Sequence, residues 1–61
     1  MAFRDQNNVG LFVGDVVEKD DRKYIVRAIK SYSFATVAIV ENLVTKDVET
    51  FHLRDIIKIR T

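Results

Sequence analysis

A chain of 61 residues with 48% hydrophobic and 31% charged residues, a formal net charge of +1 and no cysteine has room for one domain, and a domain of that size buries only about 60% of the surface its unfolded form exposes. This composition excludes a disulfide scaffold and a fold organised by a Cys/His metal cluster, so packing or self-association must supply the stability. The longest apolar run, residues 35–40 broken at Thr36, is far shorter than the roughly 20 residues of a spanning helix, and so even a charge balance does not by itself imply nucleic acid.

Residues 1–10 contain Gln6, Asn7 and Asn8, show no period and are expected as a loose lead-in. The first five residues lack the apolar segment of a secretion signal, and a chain without cysteine makes no demand for an oxidising compartment; the expected location is the cytoplasm. Residues 11–19 read as a first strand with a bend or bulge at Gly14-Asp15, where glycine admits backbone angles that other residues avoid. Asp20-Asp21 then supplies a turn. Residues 23–30 alternate Tyr24, Val26 and Ala28 against Lys23, Ile25 and Arg27, which places Tyr24 and Val26 in the core; Ile29 signals a change of inward face, as in a strand that bends.

Ser31 and Ser33 lead into residues 34–53, which read as a long β-hairpin. Its first arm carries Ala35, Val37 and Ile39 on the core face, and its second turns Phe51 and Leu53 inward and Val48, Thr50 and His52 outward, with Thr45-Lys46-Asp47 as the polar turn. Arg54-Asp55-Ile56 leaves room for one helical turn before residues 57–60 close as a last strand. Five strands and no amphipathic helix make the expected class all-β.

In this order, Val13-Gly14-Asp15-Val16-Val17, Lys23-Tyr24-Ile25-Val26, the hairpin and a closing Leu53-Arg54-Asp55-Ile56-Ile57-Lys58-Ile59 resemble the SH3-like small barrels, which include KOW and Tudor modules. The resemblance covers residues 11–60 and implies a five-stranded SH3-like small barrel over 11–61, with a short helical turn before the last strand and that strand beside the first. Such barrels host many unrelated tasks. Gly14-Asp15-Val16-Val17 also resembles the opening of the type II dihydrofolate reductases, which implies an enzyme as a remote alternative. Where that family lines its pore with Val-Gln-Ile-Tyr, however, this chain has Val48, Glu49, Thr50 and Phe51, without the glutamine or the tyrosine hydroxyl.

No catalytic residue, metal ligand or cofactor is expected. His52 is the sole histidine and has no nucleophile or carboxylate placed for it by a local motif; Gly10 and Gly14 lack the spacing of a phosphate loop; the acidic run 15–21 lacks the spacing of a calcium loop. Charge is nonetheless segregated: Asp15, Glu18, Asp20 and Asp21 precede Arg22, Lys23, Arg27 and Lys30. Arg27, Lys30, Tyr32 and Phe34, extended by Lys58 and Arg60 on the outward face of the last strand, interleave cations with aromatics as grooves for single-stranded nucleic acid do. The expected function is a non-catalytic module that binds nucleic acid or a ribonucleoprotein. The competing expectation is a protein-interaction module or small regulator, of the kind mobile elements carry, that docks on a larger protein or a second copy through Ile25, Val40 and Tyr32 or through a free strand edge. The plainest alternative leaves the cations solvated, or paired with Glu18 or Asp15, and puts Phe34 in the core.

Overall fold

The computed structural model describes residues 3–59. Seven strands follow in order, β1 (Phe3–Arg4), β2 (Gly10–Leu11), β3 (Val16–Lys19), β4 (Arg22–Ser31), β5 (Thr36–Asn42), β6 (Val48–His52) and β7 (Ile57–Lys58), with one 3-10 turn at Leu53–Asp55. All pairing is antiparallel: β1 and β2 form a two-stranded ribbon, and the other five make a sheet of order β6-β5-β4-β3-β7. The class is therefore all-β, and the sheet is open, with β6 and β7 as its edges. No helix among the described residues is long and apolar enough to cross a membrane.

Turn chemistry sets the register. Lys19 faces Arg22 across a two-residue turn in which Asp20 (φ 53°) and Asp21 (φ 63°) both take the left-handed conformation, as a type I′ hairpin requires of residues that tolerate it. Residues 11–19 are not one strand: at Phe12–Asp15 the Asp15 amide donates to the Phe12 carbonyl at 3.0 Å and Gly14 adopts φ 97°, a turn whose third position favours glycine. That turn docks on β4, where Gly14 N–H donates to the Val26 carbonyl at 2.8 Å and Val26 N–H to the Asp15 carbonyl at 2.9 Å. Beside it the β4–β5 register shifts between Val26 and Ala28, so β4 bulges at Arg27 and Ile29 turns to pack on the core.

Leu11, Val17, Tyr24, Val26, Ala38, Val40, Leu53 and Ile56 form the buried core. Tyr24 meets Phe51 edge to face (centroids 5.1 Å apart, planes at 82°), and the Lys19 ammonium stands 5.2 Å from the same ring. Lys19 belongs to β3 and Phe51 to β6, which are separated in the sheet by β4 and β5; the sheet must curl strongly for them to touch. Leu11, Leu53 and Ile56 fill the concave side.

Two expectations need correcting here. The hairpin arm expected to bury Ala35, Val37 and Ile39 instead buries Ala38, Val40 and Asn42 and leaves those three half-buried. Both alternate sets are apolar, so alternation could not choose between them; the pairings Tyr24 with Asn42 and Val26 with Val40 do. Residues 1–10 are not a loose lead-in over the described part. Phe3 pairs with Leu11 and Arg4 with Gly10, and Asp5 between them is buried. Its Oδ1 accepts the amides of Asn7 (2.9 Å) and Val9 (2.8 Å), and its Oδ2 accepts the amide of Lys58 at 2.6 Å.

Burial alone would raise the Asp5 pKa, but the amides of Lys58, Val9 and Asn7 and the Lys58 charge outweigh it and hold the carboxyl below its ordinary value. A folded-state pKa depressed in this way contributes stability that is fully present above the unfolded value of about 3.9 and is lost as pH falls through the folded value.

The inverted phase of β5 yields a direct check. Val40→Ala should cost about 2 kcal/mol or more in urea unfolding and Val37→Ala about 1 kcal/mol or less, because only the first empties a fully buried site. Equal costs, or the reverse order, would contradict the observed register.

Candidate functional site

β4 has ten residues and β3 only four, so the far end of the β4–β5 ribbon extends past β3. Its connection, Tyr32 to Ala35, closes with a hydrogen bond from Tyr32 N–H to the Ala35 carbonyl at 2.7 Å. Such a short loop cannot fold its aromatics back under the sheet. Tyr32 and Phe34 instead stack on each other in solvent, with centroids 5.7 Å apart and planes 15° from parallel. Phe34 is 84% exposed and Tyr32 50%, which rules out a core role for Phe34.

A groove of about 450 Å3 adjoins this loop. Buried Leu53 with half-buried Phe3 and Ala35 gives it an apolar part, and Phe34 stands at it as an exposed aromatic wall. Ser31 and Thr36 bring two hydroxyls, 3.3 Å apart and hydrogen-bonded to each other. Arg4, Arg54 and His52 complete its polar lining. The Arg4 guanidinium is oriented by an Nη1 hydrogen bond to the Asn8 carbonyl at 3.0 Å, and Arg54 forms no ion pair among the described residues. Asp5 also borders the groove, but both its oxygens already accept backbone amides.

The six residues singled out from the sequence therefore divide. Lys30 is exposed on β4 next to Ser31, and with Tyr32 and Phe34 it stands at the groove end of the ribbon. Arg27 does not act as an open cation, because its Nε and Nη2 bind Glu41 Oε1 across the strand pair at 2.9 and 2.8 Å. Lys58 is removed from the patch altogether. Its ammonium lies 3.2 Å from Asp15 Oδ2, donates to the Gly10 carbonyl at 3.3 Å and stands 5.8 Å from the centre of the Phe12 ring. It thus helps to hold β7 to the turn that precedes β3, and its charge serves the fold. Arg60 lies outside the described residues.

Arg4 and Arg54 were invisible as site residues because neither belongs to the basic-aromatic run, and His52, expected as an exposed outward residue of its strand, is half-buried and lines the groove. Asp5 followed by Asn7-Asn8, an acceptor side chain ahead of turn-forming residues, signals the local turn that orients Arg4, but not that this turn lies at the groove.

A second hollow, of about 560 Å3, lies on the Asp20-Asp21 side and is lined by Glu18, Lys19, Asp20, Asp21, Arg54 and Asp55. Among the described residues its one internal ion pair is Lys19 with Asp20 at 2.9 Å, which raises the lysine pKa and lowers that of the aspartate through their hydrogen bond and mutual attraction. Among the described residues no group of three or more His, Cys, Asp or Glu side chains is disposed to hold a metal ion. No protein-family model, curated protein or solved structure matches the chain.

Proposed function

We propose that the chain is a non-catalytic binding module for single-stranded nucleic acid, and that its curled sheet, with a helical turn leading into a last strand beside β3, is an SH3-like small barrel whose outermost strands do not pair. The observation that carries the functional reading is the exposed Tyr32–Phe34 stack beside a groove bordered by two arginines. Leaving a Phe ring in water forgoes about 2 kcal/mol of burial free energy, which a stacked base recovers; base–aromatic stacking is worth about 1–3 kcal/mol per base. Arg4 and Arg54 supply countercharge for the phosphates at the groove, and Lys30, paired with Val37 on the other face of the ribbon, offers a further cation to a strand that continues past the loop. The arrangement offers stacking and charge rather than a groove-reading helix, which suits single strands over duplexes.

Fluorescence anisotropy with short single-stranded oligonucleotides tests this. Two to three phosphate contacts predict that log K falls with log salt at a slope of roughly −1.5 to −2. Phe34→Ala should weaken binding by about tenfold or more, and Lys46→Gln, on the β5–β6 turn, should leave it unchanged. Binding no tighter than millimolar at low salt, or a Phe34→Ala protein that binds like wild type, would end the proposal.

One observation favours protein docking as a second reading. The convex face of the sheet carries half-buried Val16, Ile25, Val37 and Ile39 and exposed Val48, with the Arg27–Glu41 pair neutralising the charge among them. Val40, expected on that face, belongs to the core and takes no part. Sedimentation velocity separates the readings: a concentration-dependent dimer that Ile25→Lys abolishes supports self-association through this face, and a strict monomer at high concentration removes it.

A further inference from the structure

The groove beside the aromatic stack has features that go beyond a general affinity for phosphate backbone. At about 450 Å3 it falls within the range of roughly 300–1,000 Å3 typical of small-molecule sites. Within that space three kinds of group converge. Phe34 presents a ring face with nothing of the core against it. Arg4 and Arg54 present guanidinium forks, whose planar donors match phosphate oxygens better than an ammonium does; Arg4 spends one N–H on the Asn8 carbonyl and keeps the rest. Ser31 and Thr36 share one hydrogen bond, which leaves one hydroxyl proton and several lone pairs for a ligand. Among the described residues the Asp5 carboxylate is the one opposing charge on the groove, and the three amides bound to it partly compensate that charge.

We propose that this groove seats one nucleotide unit, with its base against Phe34, its phosphate held by Arg4 and Arg54, and its sugar or base edge hydrogen-bonded by the Ser31–Thr36 hydroxyls. The inference rests on the reading of the chain as a single-strand binder and adds the unit it grips. A free nucleotide and a nucleotide within a strand present the same chemistry to such a seat. The strand is the occupant assigned here, because Tyr32 lies outside the groove lining yet stacks on Phe34, where the base of a neighbouring nucleotide would meet it.

The test is an amide chemical-shift titration of the intact chain with adenosine 5′-monophosphate, adenosine, ribose 5-phosphate and a single-stranded adenine hexamer. The mononucleotide should shift amides of Arg4, residues 31–36 and residues 52–54. Adenosine and ribose 5-phosphate should each bind about tenfold or more weakly, since each lacks one anchor. The hexamer should bind about tenfold or more tightly than the mononucleotide, through the added stack and charge. Phe34→Ala and Arg54→Gln, both at exposed positions where folding is not at stake, should each weaken the mononucleotide by about tenfold. If the hexamer binds and the mononucleotide leaves the groove amides unmoved, or shifts another face, the one-nucleotide seat is wrong while the single-strand reading stands. If mononucleotide and hexamer bind equally, the groove serves a free nucleotide and the strand assignment falls. If neither binds, both fail.

Discussion

The carboxylate of Asp5 joins the two ends of the described chain. Three amides converge on it, two from its own turn and one from Lys58, 53 residues away, and next to it the Gln6 amide donates to the Ile56 carbonyl at 2.9 Å. A buried carboxylate is costly unless its lone pairs are satisfied, and these contacts satisfy them while fixing where the β1–β2 ribbon lies. The position of the ribbon then decides two further things. Leu11 and Ile56 come together over the concave face of the sheet, and Arg4, adjacent to Asp5, comes to the same groove as Arg54. Core closure and the cationic side of the groove thus depend on one side chain.

The aromatic side of the groove has a separate origin in the length of the β4–β5 ribbon. Pairing continues to Ser31 and Thr36, well past the end of β3, and the bulge at Arg27 is where the turn preceding β3 docks. Beyond that point Ile29 and Ala38 still serve the core, but Tyr32 and Phe34 have run out of sheet to cover. Their exposure follows from topology, and the groove is the place where this projecting end meets the ribbon anchored by Asp5.

Much of the scaffold was readable from residue types, and the site only in part. Tyr24 and Val26 alternate with charged or outward residues, so their inward face could be read, and Asp20-Asp21 and Thr45-Lys46-Asp47 are turn formers for local backbone reasons. The 3-10 turn falls one residue earlier than expected, at Leu53–Asp55. The phase of β5 was not readable because Val37 and Ile39 are as apolar as Ala38 and Val40, and only pairing with β4 separates them. Arg27 looked like an open cation because its partner Glu41 is 14 residues distant in the chain, whereas the pairing of Lys58 with Asp15 is the one that the plainest alternative allowed. The exposure of Tyr32 and Phe34, which the sequence left open for Phe34, follows from the short local loop that carries them. The contribution of Arg4 depends on the long-range Asp5 contact, which no local pattern announces.

Amide hydrogen exchange from neutral pH into the acid range tests the dependence on Asp5 most directly. The Val9 and Lys58 amides should be protected at neutral pH to a degree approaching the β4 and β5 amides, and should lose that protection as pH falls through the depressed Asp5 pKa while β4 and β5 retain theirs. Unprotected Val9 and Lys58 amides at neutral pH, or protection there that acid leaves untouched until the whole sheet unfolds, would contradict the account.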